Sequence, residues 1–227
     1  MRRLAPYILI SIALLLCGMT YFLFRIAHIN VSGSKQLSGI DKYSSNFIFL
    51  LKPIEVEKEI LQQNPTLEKV VVELIYPNTL SILAIEARPI AKIVLEDGYM
   101  AISSEGKILA KQRDDMSTLP IGINYYQPLY FRSFAVGDVI DINEMIDAVF
   151  FIEELQKLAL PVGNVDIRNE NMIVLFLEDY EILVSSTKDT LEQMAQLKVV
   201  LEQFRTKAVE FSRLDVRFEK PIVVFKK

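Results

Sequence analysis

Lys69-Val70-Val71-Val72-Glu73-Leu74-Ile75-Tyr76-Pro77-Asn78-Thr79-Leu80-Ser81-Ile82-Leu83-Ala84-Ile85-Glu86 is the stretch whose reading decides the fold. Lys69 to Tyr76 is rich in β-branched residues, Pro77-Asn78 makes a turn, and Thr79 to Glu86 returns with Leu80, Ile82 and Ala84 on one face. Two adjacent strands follow from that pattern. Upstream, Pro53 is a helix start for Ile54 to Gln63, and Asn64-Pro65 ends it because the residue before a proline avoids the helical region. The helix is expected to pack Ile54, Ile60 and Leu61 against Val70, Val72, Leu80 and Ile82. Phe47 to Leu51 is an apolar run too short for a helix of its own, Ser38 to Ser45 is a candidate brief helix, and Ile29 to Lys35 reads as a short strand ending in a turn. The order strand, helix, helix, strand, strand predicts one α/β unit over 27–91, with a three-stranded sheet and two helices on one face.

The other decisive segment is the first. Leu4 to Phe24 carries no charge, and Arg2 and Arg3 precede it. At about 1.5 Å of rise per residue it is long enough for a bilayer core. Tyr7 and Tyr21 sit near its ends, as interfacial aromatics do. Phe22, Leu23 and Phe24 stand where a signal peptidase needs small residues. The expectation is an uncleaved transmembrane helix over 4–24, with Leu4, Tyr7, Tyr21 and Phe24 as anchor residues. Residues 1–3 would form a short cytoplasmic N-terminus, and the acidic body would lie outside the cytoplasm.

Beyond Pro89 the character is mostly β. Ala91 to Leu95 and Tyr99 to Ile102 read as strands around Glu96-Asp97-Gly98. Ile142, Met145, Val149 and Ile152 make a helical stripe behind a capping-box-like Asp141 and Glu144. A second helix is expected over Lys188 to Phe204, with Leu191, Met194, Leu197, Leu201 and Phe204 on one side. Met172 to Leu177 and Tyr180 to Val184 form a hairpin, and Val209 to Phe218 and Pro221 to Phe225 are the last two strands. Residues 92–227 are thus expected to form a mainly antiparallel β domain with two helices, which makes the whole chain α+β.

The 227 residues are 51% hydrophobic and 24% charged, enough for a packed core and far from a disordered composition. A formal net charge of −4 speaks against general nucleic-acid binding. One cysteine, Cys17, excludes an intramolecular disulfide and a cysteine zinc cage, and one histidine, His28, excludes any site built on two imidazoles. No G-x-S-x-G, H-E-x-x-H, P-loop or S-x-x-K pattern occurs. Asp114-Asp115 lies in a polar loop where adjacent carboxylates are solvated, although a fold can bring two distant carboxylates together. No catalytic residue, metal or cofactor is implied, and binding or scaffolding is the function class that remains.

One binding feature stands out. Arg213-Leu214-Asp215-Val216-Arg217-Phe218 alternates apolar and polar, Glu219-Lys220-Pro221 turns, and Ile222-Val223-Val224-Phe225 follows. A last strand with an unpaired edge can accept another chain's strand. In that reading Ile222, Val223, Val224 and Phe225 form the edge, Arg217 pairs with a partner carboxylate, and Phe218 is a buried anchor. The other reading makes this a plain edge strand, with Arg217 paired to Asp215 and Phe218 in the core.

These residues together resemble the bacterial cell-division FtsQ/DivIB family over essentially the whole chain. Ile29-Asn30-Val31-Ser32-Gly33 resembles the opening "V-x-G" of a polypeptide-transport-associated (POTRA) domain, and Asn64-Pro65 to Val72 its "P-x-V-x-x-V-x-V" region. Tyr76-Pro77-Asn78-Thr79-Leu80 is similar to "P-x-T-L", Glu86-Ala87-Arg88-Pro89-Ile90-Ala91 to "E-R-x-P-I-A", and Glu105-Gly106 to the "D-x-x-G" turn. Leu214-Asp215-Val216-Arg217-Phe218 is similar to the late "I-D-L-R-F" strand. Ala87 stands where the family usually has Arg, and Ser103 where an Asp is common. The resemblance implies a POTRA domain over 27–91, a β domain over 92–227, and a non-enzymatic divisome scaffold in the cell membrane at the septum. It implies FtsB/DivIC-like and FtsL-like coiled-coil partners, and links through them to septal wall synthases. Two other readings are a POTRA-bearing export or membrane-assembly factor and an anchored cell-wall hydrolase. The first usually carries several POTRA units or a barrel, and the second needs a nucleophile and base that no motif here supplies.

Overall fold

The computed structural model describes residues 5–34, 37–207 and 210–226; of these, the side chains of 5–10, 13, 17 and 207 are outside the description. Two compact units divide at Ala87 and Arg88. Strands dominate, twelve of them in two sheets among the described residues.

The first unit begins with helix α1, Ala5–Leu23. Its described side chains from Ser11 onward are all exposed. The expected transmembrane architecture is corrected here: among the described residues no helix is long and apolar enough to cross a membrane. The apolar run is not used whole. Phe24 leaves the helix and packs against the folded unit, its ring 4.9 Å from Phe49. Leu4 and the side chain of Tyr7 lie outside the described residues.

Three strands follow, β1 (His28–Gly33), β2 (Leu67–Ile75) and β3 (Thr79–Glu86), with helix α2 (Pro53–Gln63) between the first two. β3 is central, antiparallel to β2 and parallel to β1. Gly33 ends β1 at φ +92, and a Cβ there would sit 2.0 Å from the Ala84 carbonyl oxygen, so only glycine fits the turn. Leu80, Ile82 and Ala84 of β3 and Val70 and Val72 of β2 line the buried face.

Among the described residues one α-helix covers that face, not two. The segment expected to form a brief first helix makes only a 3-10 turn at Asp41–Tyr43; Ser44 leaves it with ψ 132, and Ser45 follows at φ 76, a left-handed conformation. A second turn, Ile48–Leu50, follows, and Tyr43 and Ile48 insert into the core. Pro53 takes the first helical position of α2, where its missing N–H costs nothing. Val56 and Ile60, four residues apart, form the buried stripe with Leu61 at its margin, whereas Ile54 is 78% exposed. Asn64 closes α2 by donating to the Ile60 and Ser38 carbonyls at 2.8 and 3.1 Å and accepting from Ser38 N–H at 2.8 Å.

The second unit is one nine-stranded sheet. Its strands are β4 (Pro89–Leu95), β5 (Gly98–Ser103), β6 (Ile108–Gln112), β7 (Gly122–Tyr125), β8 (Val162–Asn169), β9 (Met172–Leu177), β10 (Glu181–Val184), β11 (Phe211–Asp215) and β12 (Ile222–Phe225). Their order across the sheet is β12-β11-β10-β9-β8-β7-β4-β5-β6. The pairs β4/β7, β7/β8 and β10/β11 are parallel and the others antiparallel. β4 begins at Pro89, so residues 89–91, expected at the end of the first domain, belong to this sheet.

Helices α3 (Asn143–Lys157) and α4 (Thr190–Lys207) supply the other half of the core. Met145, Ala148, Val149, Ile152 and Leu155 of α3 are buried at helical spacing. Ile142 occupies the N-cap without a side-chain cap bond, so the expected capping box does not form. Met194 and Leu197 anchor α4, while Leu191 is exposed. Buried Gln193 docks the start of α4 onto the end of β10, its Nε2 donating to Ser185 O at 2.7 Å and its Oε1 accepting from Ser185 N–H at 2.9 Å.

Candidate partner-binding edge

The two ends of the large sheet are built differently. β6 is covered by its own chain: Ile108 N–H donates to Asp138 O at 2.9 Å, and Gly137 N–H donates to Ile108 O at 2.8 Å. Lys107 and Val139 form a further bridge, and the Lys111 ammonium donates to the carbonyls of Phe131 and Phe134. β12 has β11 on one side and, among the described residues, no strand on the other.

The register places Asp215 opposite Ile222, Leu214 opposite Val223, and Arg213 opposite Val224. Val223 packs against the core. Phe225 shares that face, its ring 6.3 Å from Phe204 of α4, and strand alternation turns Ile222 and Val224 to the other. Ile222, Val224 and Phe225 are exposed. Exposed edges are commonly blunted by a charge, a proline or a bulge within the strand. The four residues of β12 contain no charge and no proline, and Pro221 stands just ahead of them.

The strand expected to carry Arg217 and Phe218 ends earlier. β11 stops at Asp215, and Val216 through Lys220 form the bend into β12; Val209 lies outside the described residues. Asp215 makes the turn. Its Oδ1 accepts from the backbone N–H of Arg217 at 3.1 Å, while Val216 N–H donates to Leu183 O at 3.0 Å. Arg217 grips the same carboxylate side-on, which holds the guanidinium above its ordinary pKa, and donates Nη1 to Asn171 O at 3.3 Å. The intramolecular reading of Arg217 therefore describes its geometry. The core reading of Phe218 does not: the residue is 48% exposed, with the Arg217 guanidinium 5.5 Å from the centre of its ring. Phe218 lies in the bend that leads from β11 into β12.

One polar group under this bend escaped sequence reading. Gln196 of α4 donates Nε2 to Glu219 O at 3.5 Å, and its buried Oε1 has no hydrogen-bond partner among the described residues. Nothing in a helical stripe marks such an amide. Toward the start of β11, a groove of about 700 Å³ is lined by Leu160, Lys198, Leu201, Glu202, Phe204 and Phe211.

The remaining expected site residues, Tyr21 and Phe24, lie in the first unit. Tyr21 is exposed at the end of α1, and Phe24 is partly buried against that unit's core. No known protein family model and no curated protein matches this chain.

Proposed function

We propose that the protein is a non-enzymatic scaffold of the bacterial division machinery that captures an extended segment of a coiled-coil partner along β12. The observation that carries this reading is the open, uncharged edge of β12, with exposed Phe218 in the bend that leads into it. Backbone hydrogen bonds would supply affinity, and alternating side chains would set the register. The choice of partner, an FtsB/DivIC-like or FtsL-like protein, rests on the sequence resemblance to the FtsQ/DivIB family. By the same resemblance the protein works at the septum on the outer side of the cell membrane, joining early division proteins to septal peptidoglycan synthesis.

Co-purification of the full chain with candidate coiled-coil division proteins tests this proposal. A double change, Ile222→Lys with Val224→Lys, puts charge on the exposed face of the edge and is expected to weaken binding about tenfold or more while the melting temperature holds. Undiminished binding by the folded variant would reject strand capture. Release of peptidoglycan fragments by the purified chain would reject the non-enzymatic reading.

A further inference from the structure

We propose that β2 joins two copies of this chain, edge to edge and antiparallel, about a twofold axis through Val71. This surface belongs to the small sheet of the first unit and does not depend on what β12 binds.

β2 ends the small sheet, with β3 on one side and, among the described residues, no strand on the other. One contact shows which backbone groups face outward. Val72 N–H donates to Oε1 of Glu57, on α2, at 2.8 Å, so it points away from β3. Alternation along the regular part of the ladder gives Val70 and Leu74 the same direction. A single carboxylate thus caps the middle of this edge. No proline interrupts the strand, and its register shift lies between Leu67 and Lys69, ahead of the central residues.

The charge pattern of the edge selects a second copy as its occupant. Lys69-Val70-Val71-Val72-Glu73 carries opposite charges equally far from Val71. Antiparallel pairing about Val71 sets Val70 opposite Val72 of the second copy, where their outward backbone groups exchange hydrogen bonds, and sets Lys69 opposite Glu73 twice. Lys69 and Glu73 are exposed and make no ion pair among the described residues; β3 places Ile85 beside the first and Ser81 beside the second. Opposite charges directly across a strand pair favour that register, and like charges oppose it. α2 offers a matching surface. Ile54 and Leu61 lie one turn either side of Glu57, on the side of the helix that reaches the edge. Ile54 is 78% exposed, and a hollow of about 460 Å³ is lined by Ile54, Glu57, Lys58, Leu61 and Gln62. Direct strand partners keep their side chains on a common face, so both α2 helices lie on one side of the joined sheet, with Ile54 and Leu61 toward the seam. On pairing, Glu57 yields Val72 N–H to the carbonyl of the second copy's Val70.

At the twofold axis Val71 meets its own counterpart in a non-hydrogen-bonded pair, with Cα atoms about 4.5 Å apart, close enough for a disulfide. Cys17 is the chain's one cysteine, so Cys17→Ser gives a full-length background for single-cysteine variants. In it, mild oxidation of Val71→Cys is expected to link roughly half of the chains or more into covalent dimers, and Ser32→Cys, exposed on β1 of the same sheet, roughly a tenth or fewer. Adding Glu73→Lys to Val71→Cys should cut the yield about fivefold or more, and adding Lys69→Glu as well should restore it, because the charges are then exchanged. Glu57→Ala, which frees Val72 N–H, should bring the dimer in at lower protein concentration. Equal yields from Val71→Cys and Ser32→Cys would mean chance collision, and a yield indifferent to Glu73→Lys would remove the register; either result overturns the proposal. A Val71→Cys chain that stays monomeric with and without Glu57→Ala would leave the edge to a foreign strand or to none, and would overturn it equally.

Discussion

Arg217 holds Asp215 with two parallel hydrogen bonds, Nη2 to Oδ2 at 2.6 Å and Nε to Oδ1 at 2.9 Å, across the bend that leads β11 into β12. Asp215 is buried, so the pair fixes the angle at which the open edge leaves the sheet. Arg217→Ala would leave that carboxylate without its cation, at an expected cost of about 2 kcal/mol in chemical denaturation. Arg217→Lys should recover only part of this, because an ammonium cannot make the side-on contact.

Phe218→Ala separates a ring waiting for a partner from a ring that supports the fold. Half of its surface is already in water, so the unfolding free energy should change by less than about 1 kcal/mol. If the ring is an interface anchor, partner affinity should fall by about 2 kcal/mol or more, read by calorimetric titration. Loss of stability with affinity unchanged would place its role inside the molecule.

The face of α2 can be checked with two isoleucines. Ile60, 1% exposed, should cost about 2–4 kcal/mol as Ile60→Ala, and Ile54→Ala should lie near zero because its side chain already meets solvent. Thermal melts of the two variants side by side provide the comparison.

Asp147 of α3 gives the fold a pH dependence of known sign. Burial first, then the Glu144 carboxylate, pushes its pKa up to about 6. A carboxyl raised in the folded state favours the protonated form. Its contribution is intact below the unfolded value, near ~3.9, and is lost as pH rises through the folded one. Asp147→Asn should therefore raise the melting temperature at neutral pH and lose that advantage below about pH 4. The side chain is partly exposed, so the gain is modest after solvent screening.

The legible parts of this fold are those written in local pattern. The β-branched run at Lys69–Tyr76, the Pro77-Asn78 turn and Pro53 at the head of α2 act through backbone preference, which neighbours in sequence reveal. Tertiary choices were hidden. Ile54 and Leu61 flank the same helix as Ile60, and only the position of the sheet decides that Val56 and Ile60 face inward. The brief first helix ends after Tyr43, where Ser44 turns extended and Ser45, a non-glycine residue, takes a left-handed conformation. At the candidate site, the alternation from Arg213 to Phe218 reads as one strand throughout. It cannot register that the Asp215 carboxylate takes the Arg217 amide and turns the chain. The parallel pairing of β10 with β11 spans all of α4, beyond the reach of any local signal.

The contrast between the ends of the large sheet also bears on stoichiometry. Ile108 of β6 is already hydrogen-bonded to the 137–138 backbone, so among the described residues β12 is the more open end of the large sheet. A strand added there carries an outer edge of its own, so addition alone does not end the sheet. A foreign strand stops at one only if its outer edge is covered by its own chain, whereas a second copy meeting β12 with β12 makes a twofold pair that uses up this edge in both copies. For this molecule the edge that the incoming strand itself leaves behind, and not β12 alone, decides whether an assembly closes or continues.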